Sequence, residues 1–453
     1  MDKFSELLSK ATRNNSLLRD FIKIEALKEF DNDYDIFYPF VKDKMVSPTE
    51  TFRDVILKYA ESEVELSNIE KALPLLNIYI PELPSGFNAE SWNTSQELPL
   101  VAPNVIKNNK IRFFDDGKIV DSVDKNLIPA FPVLVVKNNE RLRLKDKISL
   151  KSSTALENPQ YEFIDDAYDR RLRTKSSNTS ASSLIPEVLR ARDIMGLDGF
   201  NWHRDYIYYG LTPESNSQGQ LNRRIIERIV SMEFSKDAFY VMSDQPKDPK
   251  LHTTVVYPSN WPSTRIQNTF WTEGRFEIQV DVLIGNLQGL GTTLEKHFSA
   301  HPNDLYHVLF EKRTPPRSTN SYYHLLDIQP KEYRLSIDLA TWDIQNNSFV
   351  WKFIISEKDE QETTTKTERS MSEFATNFGI TTSGNQKFGL NFGGSTKRSV
   401  DNTFSISVTR NSDQLGTLET DFSRPVLIGN RSMSPFVISN PYVKLKMLPQ
   451  YAY

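Results

Sequence analysis

The chain has 453 residues, 38% hydrophobic and 25% charged, with 55 basic and 59 acidic side chains and a net charge of -4. That length implies two to four domains, and the balanced charge offers no global field to nucleic acid, so no such partner is expected. Cysteine is absent, which excludes disulfides, thiolate metal sites and cysteine nucleophiles.

Met1 to Arg19 lack an apolar signal core, and no apolar run is long enough for a membrane helix. Residues 1–73 read as helical. Leu17, Phe21, Ile24 and Leu27 recur at helix spacing as an apolar stripe. Ser47-Pro48-Thr49-Glu50 is spaced to open a helix as a capping box, followed by Phe52, Val55, Ile56 and Tyr59. Ser62 and Glu65 repeat that spacing before Leu66, Ile69 and Leu73.

From Pro74 the period changes to two. Strands are expected at Leu75–Ile80, Leu98–Ala102, Ile111–Phe114 and Ile119–Val120, with Asp116-Gly117 as a hairpin turn. Phe131–Val136 follows, turned by Lys137-Asn138-Asn139 into Glu140–Leu144. These short strands predict a small antiparallel sheet, closing a first unit at 1–150. A polar linker is expected at 151–184, because Thr174 to Ser183 is almost all Ser, Thr, Asn and Ala. A mixed α/β segment spans 185–270. One helix starts at Ile185-Pro186-Glu187, and another is marked by Ile225, Ile226, Ile229 and Val230.

Beyond Trp271 the pattern is β. Phe276, Ile278, Val280 and Val282 alternate with Glu277, Gln279, Asp281 and Leu283. Tyr333–Leu339, Phe349–Ile355, Val426–Ile428 and Val437–Met447 add further strands. The fold class expected is α+β: an N-terminal helical and small-sheet unit, and a larger C-terminal antiparallel β-sandwich over 271–453.

Four clusters invite chemistry. His297 and His301 are four apart, but Pro302 perturbs any helix there, and a loop is the commoner setting. The acidic run Glu357, Asp359, Glu360 ends a strong strand and is a candidate Ca2+ site at a loop rim; a solvated turn is the ordinary alternative. Asp31-Asn32-Asp33-Tyr34-Asp35 begins like a calcium loop. It has Ile36 where glycine is needed and Lys42 where the last acid belongs, so a capping turn is expected. Trp202–Tyr209 is the most enzyme-like stretch. His203 and Asp205 there suit a base and its orienting acid, with Arg204 for an anion; the plain alternative is an aromatic core strand. Gly285-Asn286-Leu287-Gln288-Gly289-Leu290-Gly291 has the wrong spacing for a phosphate or dinucleotide loop.

Gln361 to Ser412 is rich in Ser, Thr, Asn and Gly, yet keeps a period of two: Phe374, Phe378 and Ile380, then Phe388, Leu390 and Phe392, then Phe404, Ile406 and Val408. With Glu362-Thr363-Thr364-Thr365-Lys366-Thr367 and Phe388-Gly389-Leu390-Asn391-Phe392, it resembles the membrane-insertion segment of aerolysin-type β-pore-forming toxins. That resemblance implies a hairpin stored against the sandwich and released into an oligomeric barrel. Leu75–Leu83 with Trp92, and Phe131–Leu144 with Asn139-Glu140-Arg141, are similar to uncharacterised exported proteins of Bacteroidota, which implies an envelope location.

The leading expectation is a non-enzymatic extracellular or cell-envelope protein presenting a Ser/Thr-rich β-surface to protein or glycan. Its contact residues would be Phe374, Phe378, Phe388, Leu390, Phe392 and Phe404. The alternatives are a homo-oligomeric pore former that enters membranes through 361–412, and a hydrolase using His203 and Asp205.

Overall fold

The structure is a computed structural model. It describes residues 1–105, 110–125, 127–145, 160–164, 168–171, 184–195, 203–212, 219–243, 248–249, 251–256, 263–268, 270–316, 318–358, 363–375, 397–409, 413–422, 424–428 and 434–452. The α+β class holds: helices concentrate at the N-terminus and the remainder is mostly antiparallel sheet.

The first helix, Asp2–Asn14, buries Phe4, Leu7, Leu8 and Ala11, the repeat expected of one helical face. Asn15 caps the second, Ser16–Ala26, by accepting from the Leu18 amide. This helix is rotated from the expected stripe. Leu18, Ile22 and Ala26 are its buried row, while Leu17, Ile24 and Leu27 are 50%, 58% and 38% exposed. Arg19 explains the rotation: its guanidinium donates to the Thr12 and Thr94 carbonyls, both at 2.6 Å. Lys23 donates to the Glu90 and Trp92 carbonyls on the same side. Unpaired carbonyls turn the helix more strongly than three aliphatic side chains do.

The helix expected from Ser47 starts later. Met45–Ser47 and Glu50–Thr51 form a small hairpin, and Thr51 with Asp54 makes the capping box for Phe52–Leu57. Ser62 caps Glu63–Ala72 as read from the sequence.

A six-stranded sheet follows, in the order Asp35–Phe37, Leu76–Tyr79, Val133–Asn138, Leu100–Pro103, Lys110–Asp115, Lys118–Asp124. Asp116-Gly117 turns the last hairpin with both residues at positive φ, 46° and 79°, as a two-residue primed turn needs. The sheet departs from the antiparallel expectation at one pair, Leu100–Pro103 with Val133–Asn138, which is parallel. Val133–Lys137 lies inside the sheet and is buried throughout, which accounts for its continuous apolar run. It does not turn back into Leu142–Leu144, which pairs instead with Tyr161–Phe163.

Trp202–Tyr209 contains a helix, His203–Tyr209, rather than a strand. Ile225–Phe234 is a strand rather than a helix. It pairs along both edges, with Val443–Tyr451 and Tyr333–Asp338, and both registers shift between Ile229 and Ser231; that irregularity breaks the alternation of its apolar residues. A second four-stranded sheet runs Thr292–Ala300, Phe276–Ile284, Val350–Glu357, Asp413–Asp421. Both sheets feed one apolar core that reaches from Phe4 to Leu448, with Trp271, Trp342 and Trp351 fully buried in it. Ile128–Pro129 of the N-terminal part pairs with Tyr322–Tyr323 and ties the two regions by backbone bonds.

Arg141 makes a second tie. Its guanidinium donates to the Asp31 carbonyl at 2.7 Å and lies 3.5 Å from Asp33 Oδ2 and 3.4 Å from Glu277 Oε1. Replacing Arg141 with Met leaves buried carboxylates uncompensated and is expected to cost about 3–5 kcal/mol. Replacing Lys444, whose pair with Glu233 is solvent-exposed, should cost no more than about 1 kcal/mol. Urea denaturation of both variants checks the contrast.

Candidate functional site

The strand Phe276–Ile284 alternates apolar and polar residues, so one face should meet water. All nine residues are buried. The even positions enter the main core; on the odd face Glu277 meets Arg141, and a separate β-ribbon lies over the stretch from Gln279 to Leu283. The ribbon is formed by Thr363–Ala375 and Lys397–Thr409, paired in register from Thr363↔Thr409 to Ala375↔Lys397. Its strands bond to each other along their length, and only the isolated bridge Leu290↔Thr403 joins them to another β element among the described residues.

The ribbon is seated by little. Leu283, Phe404 and Ile406 form a small apolar cluster, flanked by Ile354 and Val408. Three such side chains contribute on the order of 6 kcal/mol of burial before ordering costs. Gln279 Nε2 donates to the Ser407 carbonyl at 3.1 Å, and the Asn286 amide donates to Asn402 Oδ1 at 2.9 Å. Glu368 meets Lys352 at 3.6 Å.

The glycine-punctuated turn at 285–291 is the seat. A Cβ at Gly285 would collide with Ser372 Oγ, and one at Gly291 with the Phe404 ring. Gly291 and Thr403 exchange backbone bonds with the same loop, Gly291 N donating to Thr403 O and Thr403 N to Gly289 O. These glycines let one backbone approach another. Their close spacing, wrong for a phosphate or dinucleotide loop, is the signal of this approach that the sequence carries.

The outer face carries the rungs Thr365–Ser407, Thr367–Ser405, Arg369–Thr403, Met371–Asp401 and Glu373–Ser399. Thr365, Thr367, Arg369, Met371, Ser399, Asp401 and Ser405 are exposed, Met371 by 66%. Phe374 and Phe404 are 1% and 2% exposed, so in the docked state they are turned away from solvent. Phe378, Phe388, Leu390 and Phe392 lie outside the described residues.

The other candidate clusters are structural or incomplete. His203 is fully buried, and its Nδ1 accepts from the Val426 amide at 3.1 Å. Arg204 makes two bonds to Glu227, at 2.7 and 3.0 Å, and Tyr208 donates to the same carboxylate. Arg204 also lies over the Phe422 ring at 4.3 Å. Asp205 is buried as well. Glu357 is buried at the end of its strand, not on an open rim, and Asp359 and Glu360 lie outside the described residues. Among the described residues no three His, Asp or Glu side chains gather as a metal site would need. His297 sits on a strand against Glu295 at 2.8 Å, while His301 is a buried N-cap.

Asp31–Asp35 is a buried turn and caps no helix. Asn139 Nδ2 donates to Asp31 Oδ2 at 2.8 Å, Asn77 Nδ2 donates to Asp35 Oδ1 at 2.5 Å, and Lys137 stands 3.7 Å from Asp35. Next to it, Arg275 bridges Glu82 and Asp304 at 3.1 and 3.0 Å. Burial pushes Asp31 up to about 6, and Glu82 and Glu273 up to about 7. Burial lowers His301 to about 4, assisted by Arg275.

Compared with known proteins, the chain matches no family model, no curated protein and no solved structure.

The raised carboxyls stabilise the fold fully below their unfolded value near 4, and that contribution is lost as pH rises through 7. His301 acts oppositely, its contribution being lost as pH falls from about 6.5 toward 4. The denaturation midpoint should therefore fall between pH 6 and 8, and a Glu82→Gln, Glu273→Gln variant should flatten that fall.

Proposed function

We propose that this is a non-enzymatic binding protein of the cell envelope or exterior, presenting the outer face of the ribbon to a glycan or protein. The supporting observation is that face itself: five rungs with hydroxyls on four of them, a guanidinium, and one exposed thioether. Hydroxyls exchange water for ligand hydrogen bonds at small desolvation cost, and Met371 and Arg369 add apolar and cationic contact.

A second reading, a hairpin that enters membranes, draws on the ribbon's separateness from the sheet below it. The charge pattern of the described strands weighs against those strands crossing lipid. Lys366 and Glu368 share the parity of Phe404 and Ile406, and Arg369 and Glu373 occupy the other. Each charge turned to lipid near the bilayer centre costs about 2–4 kcal/mol for Lys or Arg. In this reading the alternation at Phe378, Phe388, Leu390 and Phe392 would have to supply the crossing.

A Met371→Glu, Thr403→Glu variant should lose at least tenfold of the binding that wild type shows on a glycan array or to a surface-protein panel, with its denaturation midpoint essentially unchanged. Dye release from phosphatidylcholine–phosphatidylglycerol liposomes by wild type, lost in Phe388→Asp, Leu390→Asp, would instead establish the membrane reading.

A further inference from the structure

The strand beneath the ribbon carries a carboxylate that the cover leaves short of partners. Asp281 is 2% exposed. Its Oδ2 accepts from Gln279 Nε2 at 2.9 Å, and its Oδ1 has no hydrogen-bond partner among the described residues. The same Gln279 nitrogen also reaches the Ser407 carbonyl of the ribbon, so one amide serves both the carboxylate and the cover. Directly across the strand pair from Asp281 stands Glu295, and from Gln279 stands His297. Like charges opposite each other in an antiparallel pair repel.

We infer that the ribbon is held on the sheet by a proton-linked latch centred on Asp281. Covering the site removes water from this carboxyl and sets it beside a second acid, so the covered state favours the neutral form. Lifting the ribbon returns water to it.

The charged neighbours do not cancel this. On the adjoining strand, His297 is engaged by Glu295 at 2.8 Å. Lys358, beyond the third strand, opposes the shift more weakly than burial drives it. Glu277 of the same strand is taken by Arg141. Lys352 pairs with Glu368, and Lys366 lies 3.6 Å from that same carboxylate. Arg398 and Asp401 stand nearer the other end of the ribbon, across from Phe374 and Met371.

Burial pushes the covered carboxyl up to about 6, Gln279 opposing and Glu295 adding, while a solvated aspartate titrates near 4. Docking therefore takes up a proton. The ribbon is held tightest in acid and loosens as pH rises through 6. The inference stands whichever partner the ribbon contacts.

Hydrogen exchange of the full chain, corrected for intrinsic rates, tests it at the amides of 397–409. Their opening constant should rise roughly tenfold between pH 5 and 7.5. Asp281→Asn should abolish that rise in the ribbon while leaving the pH response of the Ile225–Phe234 amides as in wild type. Glu295→Gln, which removes the like charge but keeps Asp281, should move the ribbon transition to lower pH. Equal pH dependence in wild type and Asp281→Asn, or a flat wild-type profile, overturns the latch. So does an unmoved transition in Glu295→Gln, which decides the matter should Asp281→Asn not fold.

Discussion

Arg141 is the residue through which the two halves of the molecule answer to each other. It draws Asp31 and Asp33 from a turn near the N-terminus, and Glu277 from the central strand of a C-terminal sheet, into one buried point. Its ring neighbour Tyr168 lies 5.7 Å away and donates to the Lys358 carbonyl. Gly274 is required beside it, since at φ 87° its missing Cβ leaves room for the Asp33 carboxylate. Such a network adds little net stability over an apolar core, but any single loss from it is severe. That asymmetry locks the relative placement of the parts.

With that placement set, the strand Phe276–Ile284 has one face in the shared core and one face that must be covered. The ribbon covers it with a few apolar contacts and a bed of glycines. The contrast between the two faces is instructive. The core face packs into a cluster of many large side chains, whereas the ribbon rests on an apolar cluster of three, Leu283, Phe404 and Ile406, with a few hydrogen bonds and one ion pair. Local opening selects the weakest attachment, and here that attachment belongs to the element with the most distinctive outer surface.

The His203 helix shows how chemistry-like sequence serves architecture. A histidine, an arginine and an aspartate within three positions suit a site on paper. In the fold they are buried, with His203 holding the Val426 amide and Arg204 neutralising Glu227 beneath Phe422. Exposure and partners distinguish a reagent from a strut, and neither is visible in residue type.

Local signals were legible where local physics decides them. Ser62 at a helix start, Asp116-Gly117 in a primed turn and the period of two in Phe276–Ile284 each follow from the chain's own stereochemistry. The failures share one cause. Ile225–Phe234 was indistinguishable from a helix because a register shift between Ile229 and Ser231 breaks its alternation. The stripe of Leu17, Ile24 and Leu27 turned outward because distant carbonyls claimed Arg19 and Lys23. The glycines at 285–291 took their meaning from Ser372 and Phe404, more than eighty residues further along. By itself the sequence determined the α+β class, most strands and the Ser62 cap, since backbone preference and hydrophobic period are short-range. Only tertiary structure decided which faces are covered and which charges are paired, because both depend on what distant segments bring to the contact.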